Sequence, residues 1–302
     1  MSPTAEKKNT FIDPLSHGKA VVGLELARPD YPLLEYLHYL FGHLKAEEIR
    51  FVHVIPQLEF FYWEDQEEKL EVDKQILQRM EEEISAFFKA ARPKASLEIR
   101  EGNPLEMLLE EAGTCKASLV VIGQRGAGGH NIASKKMARR TDCPILIVPE
   151  KAESVISHML VPIDFSPSSV KALQTAIALR RAVNPEAAIT CVNIYELPDL
   201  SAYRLQRTPG ELHQMVEEDR SQAFRAFLHE YAGEEAASIS NSLIHKSDMS
   251  ISHHITHFAK EHQCDLIVIG GKGHSRMERL VLGSVTENLL SDNEDFPILV
   301  VK

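Results

Sequence analysis

Short, uniformly apolar runs alternate along this chain with longer stretches whose apolar residues recur at helical spacing, and the alternation happens twice in the same order. The first apolar run is Lys19–Glu25 in one half and Met159–Asp164 in the other. Each leads into a segment with one apolar face: Leu33, Leu34, Leu37 and Leu40, then Ala172, Leu173, Ala176 and Leu179. Second runs follow at Ile49–Ile55 and Ile189–Ile194, each succeeded by a polar stretch that ends in a long amphipathic helix. Leu70, Ile76, Met80, Ile84 and Phe87 mark the apolar side of that helix in the first half, and Leu212, Met215, Phe224, Phe227 and Leu228 in the second. The acidic run Glu81-Glu82-Glu83 between them reads as a solvated helix face. A short strand and a helix then lead to a strand ending at glycine, Ser118–Gly123 and Asp265–Gly270, and each half closes with a helix and a strand, Cys143–Val148 and Phe296–Val301.

Strands this uniformly apolar suit a sheet buried on both faces, with helices as crossovers between parallel neighbours. The expectation is therefore an α/β chain of two doubly wound, five-stranded parallel-sheet domains in tandem, Rossmann-like in type. The polar stretch after Pro149, as far as Ser157, places the join, giving domains at 1–152 and 153–302.

In an open α/β sheet ligands bind beyond the carboxyl ends of the strands. In the second half that end carries Asp164-Phe165-Ser166 after the first strand and Gly270 after the fourth, with the spacing Gly270-x2-Gly273-x9-Gly283-Ser284 behind it. Glycines permit close backbone approach, and a helix starting at Ser284, Val285 and Thr286 offers free N–H groups and a positive dipole end to a phosphate. Glycines after a strand are also ordinary turns, but here the spacing, the helix start and the preceding strand coincide. Asp164 has a second reading as a cap for the next helix, while Ser166 before Pro167 is a natural N-cap. Lys272, His274 and Arg276 lie close enough in sequence to approach a bound phosphate, or are solvated loop cations.

This motif in this setting resembles the universal stress protein family, and the resemblance covers nearly the whole chain twice. The ATP-binding branch of that family carries a G-2x-G-9x-G-[S/T] loop and a first-strand aspartate. The resemblance implies that Asp164 reads the adenine edge, with Pro162 beside it and Ile194 packing on the base. It implies further that Gly270, Gly273, Gly283, Ser284, Val285 and Thr286 hold ribose and phosphates, with backbone contact from Ile269. The cofactor it implies is ATP, with or without Mg²⁺. It also implies pairing through the last strands, Pro144–Val148 and Pro297–Val301, as an internal pseudo-dimer and, by extension, a homodimer.

The first half departs from this pattern. After Gly123 and Gly126 it reads Ala127-Gly128-Gly129-His130-Asn131, without a Gly-Ser pair and several residues short. Aligning Cys143-Pro144 with Phe296-Pro297 puts Asn131 opposite Ser284, and Gly23 and Glu25 stand where the second half has Pro162 and Asp164. Gly126 to Gly129 could form an anion-binding nest, but a domain that keeps the fold without ordinary nucleotide binding is the reading adopted. Lys135, Lys136, Arg139 and Arg140 make the following helix basic and are assigned no partner.

Composition narrows the function classes. The 302 residues carry a formal charge of −11, which argues against a general binder of nucleic acid or anionic membrane, because both need a basic surface. No segment has the length of apolar sequence that spans a bilayer, and the N-terminal residues lack a signal-peptide pattern. Four scattered cysteines without a CxxC pair suit reduced thiols, so a cytoplasmic location is expected. His253, His254 and His257 fall on a predicted helix, where His254 and His257 could share one face at a three-residue spacing, yet too few ligands surround them for zinc. Signatures of a nucleophile elbow, HExxH or Walker loop are missing from the sequence. The expected function is a stress-response or regulatory protein that binds ATP in its C-terminal domain, the N-terminal domain being mainly structural. The alternatives are a slow ATPase and a nucleotide-independent dimeric scaffold.

Overall fold

The structure, a computed structural model, describes residues 18–26, 30–56, 66–88, 94–124, 131–197, 208–272 and 282–302. The first half runs β1 (Lys19–Leu24), α1 (Asp30–His43), β2 (Glu48–Ile55), α2 (Gln66–Phe87), β3 (Lys94–Glu101), α3 (Pro104–Cys115), β4 (Leu119–Gln124), α4 (Asn131–Arg140) and β5 (Ile145–Pro149). The second repeats it as β6 (His158–Pro162), α5 (Pro167–Val183), β7 (Ala188–Tyr195), α6 (Pro209–Ala232), a 3₁₀ turn at Gly233–Ser238, β8 (Ile239–His245), α7 (Ile251–Glu261), β9 (Leu266–Gly270), α8 (Ser284–Asp292) and β10 (Ile298–Val301).

Several helix starts are written locally. Asn103 accepts from the N–H groups of Leu105 and Glu106 ahead of Pro104, and Ser166 accepts from that of Ser169 ahead of Pro167. Thr208 and Glu211 form a reciprocal capping box at α6.

All ten of these strands join one sheet in the order β3-β2-β1-β4-β5-β10-β9-β6-β7-β8. Neighbours within each half are parallel, whereas β5 and β10 pair antiparallel across the middle, with Ile298 opposite Ile147 and Val300 opposite Ile145. The closing strands thus pair the two halves, as expected.

Alternation along the strands feeds two cores. In β4, Leu119 and Val121 face the side covered by α1, α2, α5 and α6, while Val120 and Ile122 face the side covered by α3, α4, α7 and α8. Both cores run through the centre of the sheet into the other half. Full burial of each such side chain is worth about 1.5–3 kcal/mol. The exposed Arg139–Glu287 pair that links α4 to α8 contributes at most about 1 kcal/mol, so apolar packing dominates the joint.

Two expectations shift. Leu70 and Met215, assigned to apolar helix faces, are exposed. They lie near the starts of α2 and α6, and a 22-residue helix is about 33 Å long, longer than the roughly 27 Å of an eight-residue strand beneath it. In addition, Thr141 N–H bonds Met137 O just as Asn293 N–H bonds Leu289 O, which puts Ile132, rather than Asn131, opposite Ser284 and Ser134 opposite Thr286. The turn into β10 is one residue longer than that into β5, so counting back from the closing prolines misplaces the helix by one.

No helix among the described residues is long and apolar enough to cross a membrane.

Candidate functional site: a cavity at the strand ends of the second half

The carboxyl ends of β6, β7 and β9 and the first turn of α8 enclose a cavity of about 390 Å³, within the size range of small-molecule pockets. Pro162, Asp164, Ile194, Ile269, Gly270, Gly283, Ser284, Val285 and Thr286 all line it. Gly273, with His274 and Arg276, lies outside the described residues. The lining also includes Ile163, Ser169, Val192, Ile251 and Lys272. Val192 was legible in principle, since it precedes Ile194 by two on the same strand face. Ile251 comes from the start of α7, 57 residues after Ile194, and no local signal marks it.

Asp164 follows β6 in a sharp turn. Its Oδ1 accepts from Ser166 N–H at 3.0 Å, and Ser166 in turn caps α5, so the local role read from the sequence is present within the cavity wall. Phe165 between them has φ 63°, a left-handed conformation that costs about 1–2 kcal/mol for a side chain of this kind. Its ring makes edge contacts with Phe224 at 5.8 Å and Phe227 at 5.6 Å, which offset that strain and hold the turn. Leu26 occupies the equivalent turn of the first half with φ 56°. Sequence reading gave no hint of this conformation.

On the opposite wall, the base of the glycine loop is pinned twice. Gly283 N–H bonds Gly271 O at 2.8 Å, and Thr286 Oγ1 donates to Gly270 O at 2.9 Å. Gly270 must be glycine: a Cβ there would sit 2.7–2.8 Å from Ser168, backbone included. With glycine as its N-cap, α8 lacks a side chain to satisfy its first N–H groups, and the N-terminal end of its dipole faces the cavity beside Lys272. The arrangement offers backbone donors for an anion at one end, a carboxylate acceptor at the other, and apolar strand residues between them.

The family model described as universal stress protein family matches residues 19–149 and again residues 156–302. The chain belongs to the universal stress protein family. Among curated relatives, it is similar to Universal stress protein MJ0531 of Methanocaldococcus jannaschii, 28% identical over 50% of this chain and 84% of that one. It is likewise similar to Stress response protein NhaX of Bacillus subtilis, 29% identical over 48% of this chain and 97% of that one. The fold matches a universal stress protein structure from Archaeoglobus fulgidus with a TM-score of 0.64 at 19% identity, covering 95% of this chain and 97% of that one. Membership of this family and a two-fold α/β architecture are therefore established together.

On α7, His253 and His257 stack their rings with centroids 6.2 Å apart, and His254 bonds Ser247. Among the described residues no group of three or more histidine, cysteine or carboxylate side chains could hold a metal ion.

Proposed function

We propose that this chain is a regulatory stress protein that binds one adenine nucleotide, ATP with or without Mg²⁺, in the second-half cavity. The observation that carries the reading is the opposition of Asp164 to the open first turn of α8 across an apolar slot of about 390 Å³. In this reading the adenine lies against Ile194 and Ile269 with Asp164 accepting from its exocyclic amine. The phosphates meet the N–H groups of Ser284, Val285 and Thr286, where backbone donors and the helix dipole favour negative charge. Gly273 belongs to the same loop. Lys272 adds a cation on the phosphate side. The chain divides near residue 152 into two domains of one fold, and the first supplies the shared sheet and core rather than a second nucleotide site. A change in the loop on nucleotide binding would alter the surface offered to partners, a second copy of this chain included.

The test is direct. Protein purified without added nucleotide is denatured, the released small molecules are separated and identified, and ATP is titrated into stripped protein by calorimetry. About one adenine nucleotide per chain is expected, with binding lost in Gly283→Val. A chain that releases none and shows no heat with ATP overturns the reading. Turnover with Mg²⁺ at the uncatalysed rate, unaffected by Gly283→Val, would set aside the slow-ATPase alternative.

A further inference from the structure

Both halves hold a cavity at the carboxyl ends of their strands, that of the first half measuring about 410 Å³ between β1, β2, β4, α3 and α4. A third group of polar side chains lies outside both. Tyr195 and His245 are the last residues of β7 and β8 and pair in register, so their side chains stand next to each other on one face of the sheet. That is the face on which Cys191 packs toward α5 and α6, opposite to the one on which Val192 and Ile194 line the second-half cavity. His213, in the second turn of α6, closes over the pair. Tyr195 is buried, His213 half-buried and His245 exposed.

The spacings within this group are specific. His213 Nε2 lies 3.0 Å from Tyr195 Oη, and the ring centroids of His213 and His245 are 4.8 Å apart, with those of Tyr195 and His245 at 5.6 Å. Donors about 2.0–2.1 Å from a tetrahedral ion lie about 3.3 Å from each other, and two imidazoles on one ion have ring centres about 5 Å apart. Both observed separations fall within a few tenths of an ångström of these values. The phenol completes the set, since among the described residues histidines, cysteines and carboxylates alone do not reach three ligands. Charge agrees with a cation here: Glu217, one turn beyond His213 on α6, acts on Tyr195, while Lys246 beside His245 is engaged by Glu196.

We propose that Tyr195, His213 and His245 form a site for one divalent transition metal of the Cu²⁺ or Zn²⁺ kind, with His213 Nε2, Tyr195 Oη and a ring nitrogen of His245 as protein ligands and water completing the shell. Binding replaces the hydrogen bond between Tyr195 and His213 and releases the phenol proton to solvent. Burial and Glu217 hold that phenol above its usual value, so affinity falls as the pH is lowered. The ion ties the start of α6 to the ends of β7 and β8, at a place separate from the nucleotide cavity.

His253 and His257 on α7 offer exposed imidazoles of their own, so the test uses the His253→Gln/His257→Gln background. Copper(II) chloride is titrated into this full-length protein, stripped of nucleotide, and followed by calorimetry and visible absorption. One Cu²⁺ per chain is expected, with a phenolate-to-copper charge-transfer band. His213→Asn and His245→Asn should each weaken binding by about tenfold or more, and Tyr195→Phe should remove the band, with the fold of each variant intact by circular dichroism. No saturable binding, an affinity unchanged in well-folded His213→Asn or His245→Asn, or a band that is missing from the background protein or survives in Tyr195→Phe would each overturn the proposal.

Discussion

Gln124 Nε2 donates to the backbone oxygen of Asn293 at 2.6 Å, although the two residues are 169 apart in sequence, and both are buried. Gln124 ends β4 and lines the first-half cavity, while Asn293 caps the C-terminus of α8, whose other end lines the second-half cavity. A single helix is thereby held at one end by each half. The side chain of Asn293 also bonds both backbone groups of Phe296, which fixes the turn into β10.

Removing that donor has a defined cost. Gln124→Ala leaves a buried carbonyl with one donor fewer, for a loss of about 1–3 kcal/mol. Because sheet and cores run through the joint, urea unfolding followed by circular dichroism should remain one cooperative transition with a lowered midpoint. Two resolved transitions, one per half, would show the halves to be energetically independent.

The two strand-end glycines should respond differently to alanine. At Gly270 the added carbon meets the Ser168 backbone at 2.8 Å, so Gly270→Ala should destabilise by about 1–3 kcal/mol through overpacking and weaken ATP binding by about tenfold or more. At Gly123 the nearest atom is Leu33 Cδ2 at 3.7 Å, and Gly123→Ala should be nearly neutral. Thermal melts with and without ATP compare the pair.

Acid sensitivity should centre on Glu111, which is buried between Arg50 and Arg100. Burial pushes its carboxyl up, but the hydrogen bonds from the two guanidiniums outweigh this and hold it below the usual carboxylate range. Its folded value being the lower, the stabilisation is present above the unfolded value near 4.5 and is lost as pH falls through the folded one. Glu111→Gln should therefore lower the urea midpoint at pH 7 and flatten its decline below about pH 4.5. A decline as steep as that of the parent would assign the acid lability to other groups.

Thiol labelling should be ordered. Burial pushes Cys191 and Cys264 to about 12, so the thiolate fraction at pH 8 is only about one in ten thousand. Cys115 and Cys143 are half-buried and also raised, mainly by burial. Iodoacetamide on native protein, read by peptide mass spectrometry, should modify Cys115 and Cys143 before Cys191 and Cys264. Early modification of Cys191 would imply local opening of β7.

Much of this molecule follows from the sequence alone. Apolar runs of strand length, apolar residues at helical spacing, and caps such as Ser166-Pro167 are local properties. Their two-fold recurrence sufficed for the α/β class, the strand count and the tandem order. The lining of the second-half cavity was legible for the same reason: its glycines, its helix start and Asp164 sit at chain positions that any doubly wound sheet brings to one edge.

Tertiary structure decided what depends on distance across the chain. Leu70 is exposed because α2 outruns the sheet, and Ile251 joins the cavity because α7 packs beside β7. Phe165 bears a left-handed turn because Phe224 and Phe227 receive its ring. The one-residue offset of α4 depends on a turn length that becomes visible only when hydrogen bonds align the helices. The first-half cavity has walls from β1, β2, β4 and two helices, which are set by the packing of the whole half, whereas the short spacing after Gly123 is a local feature of the sequence.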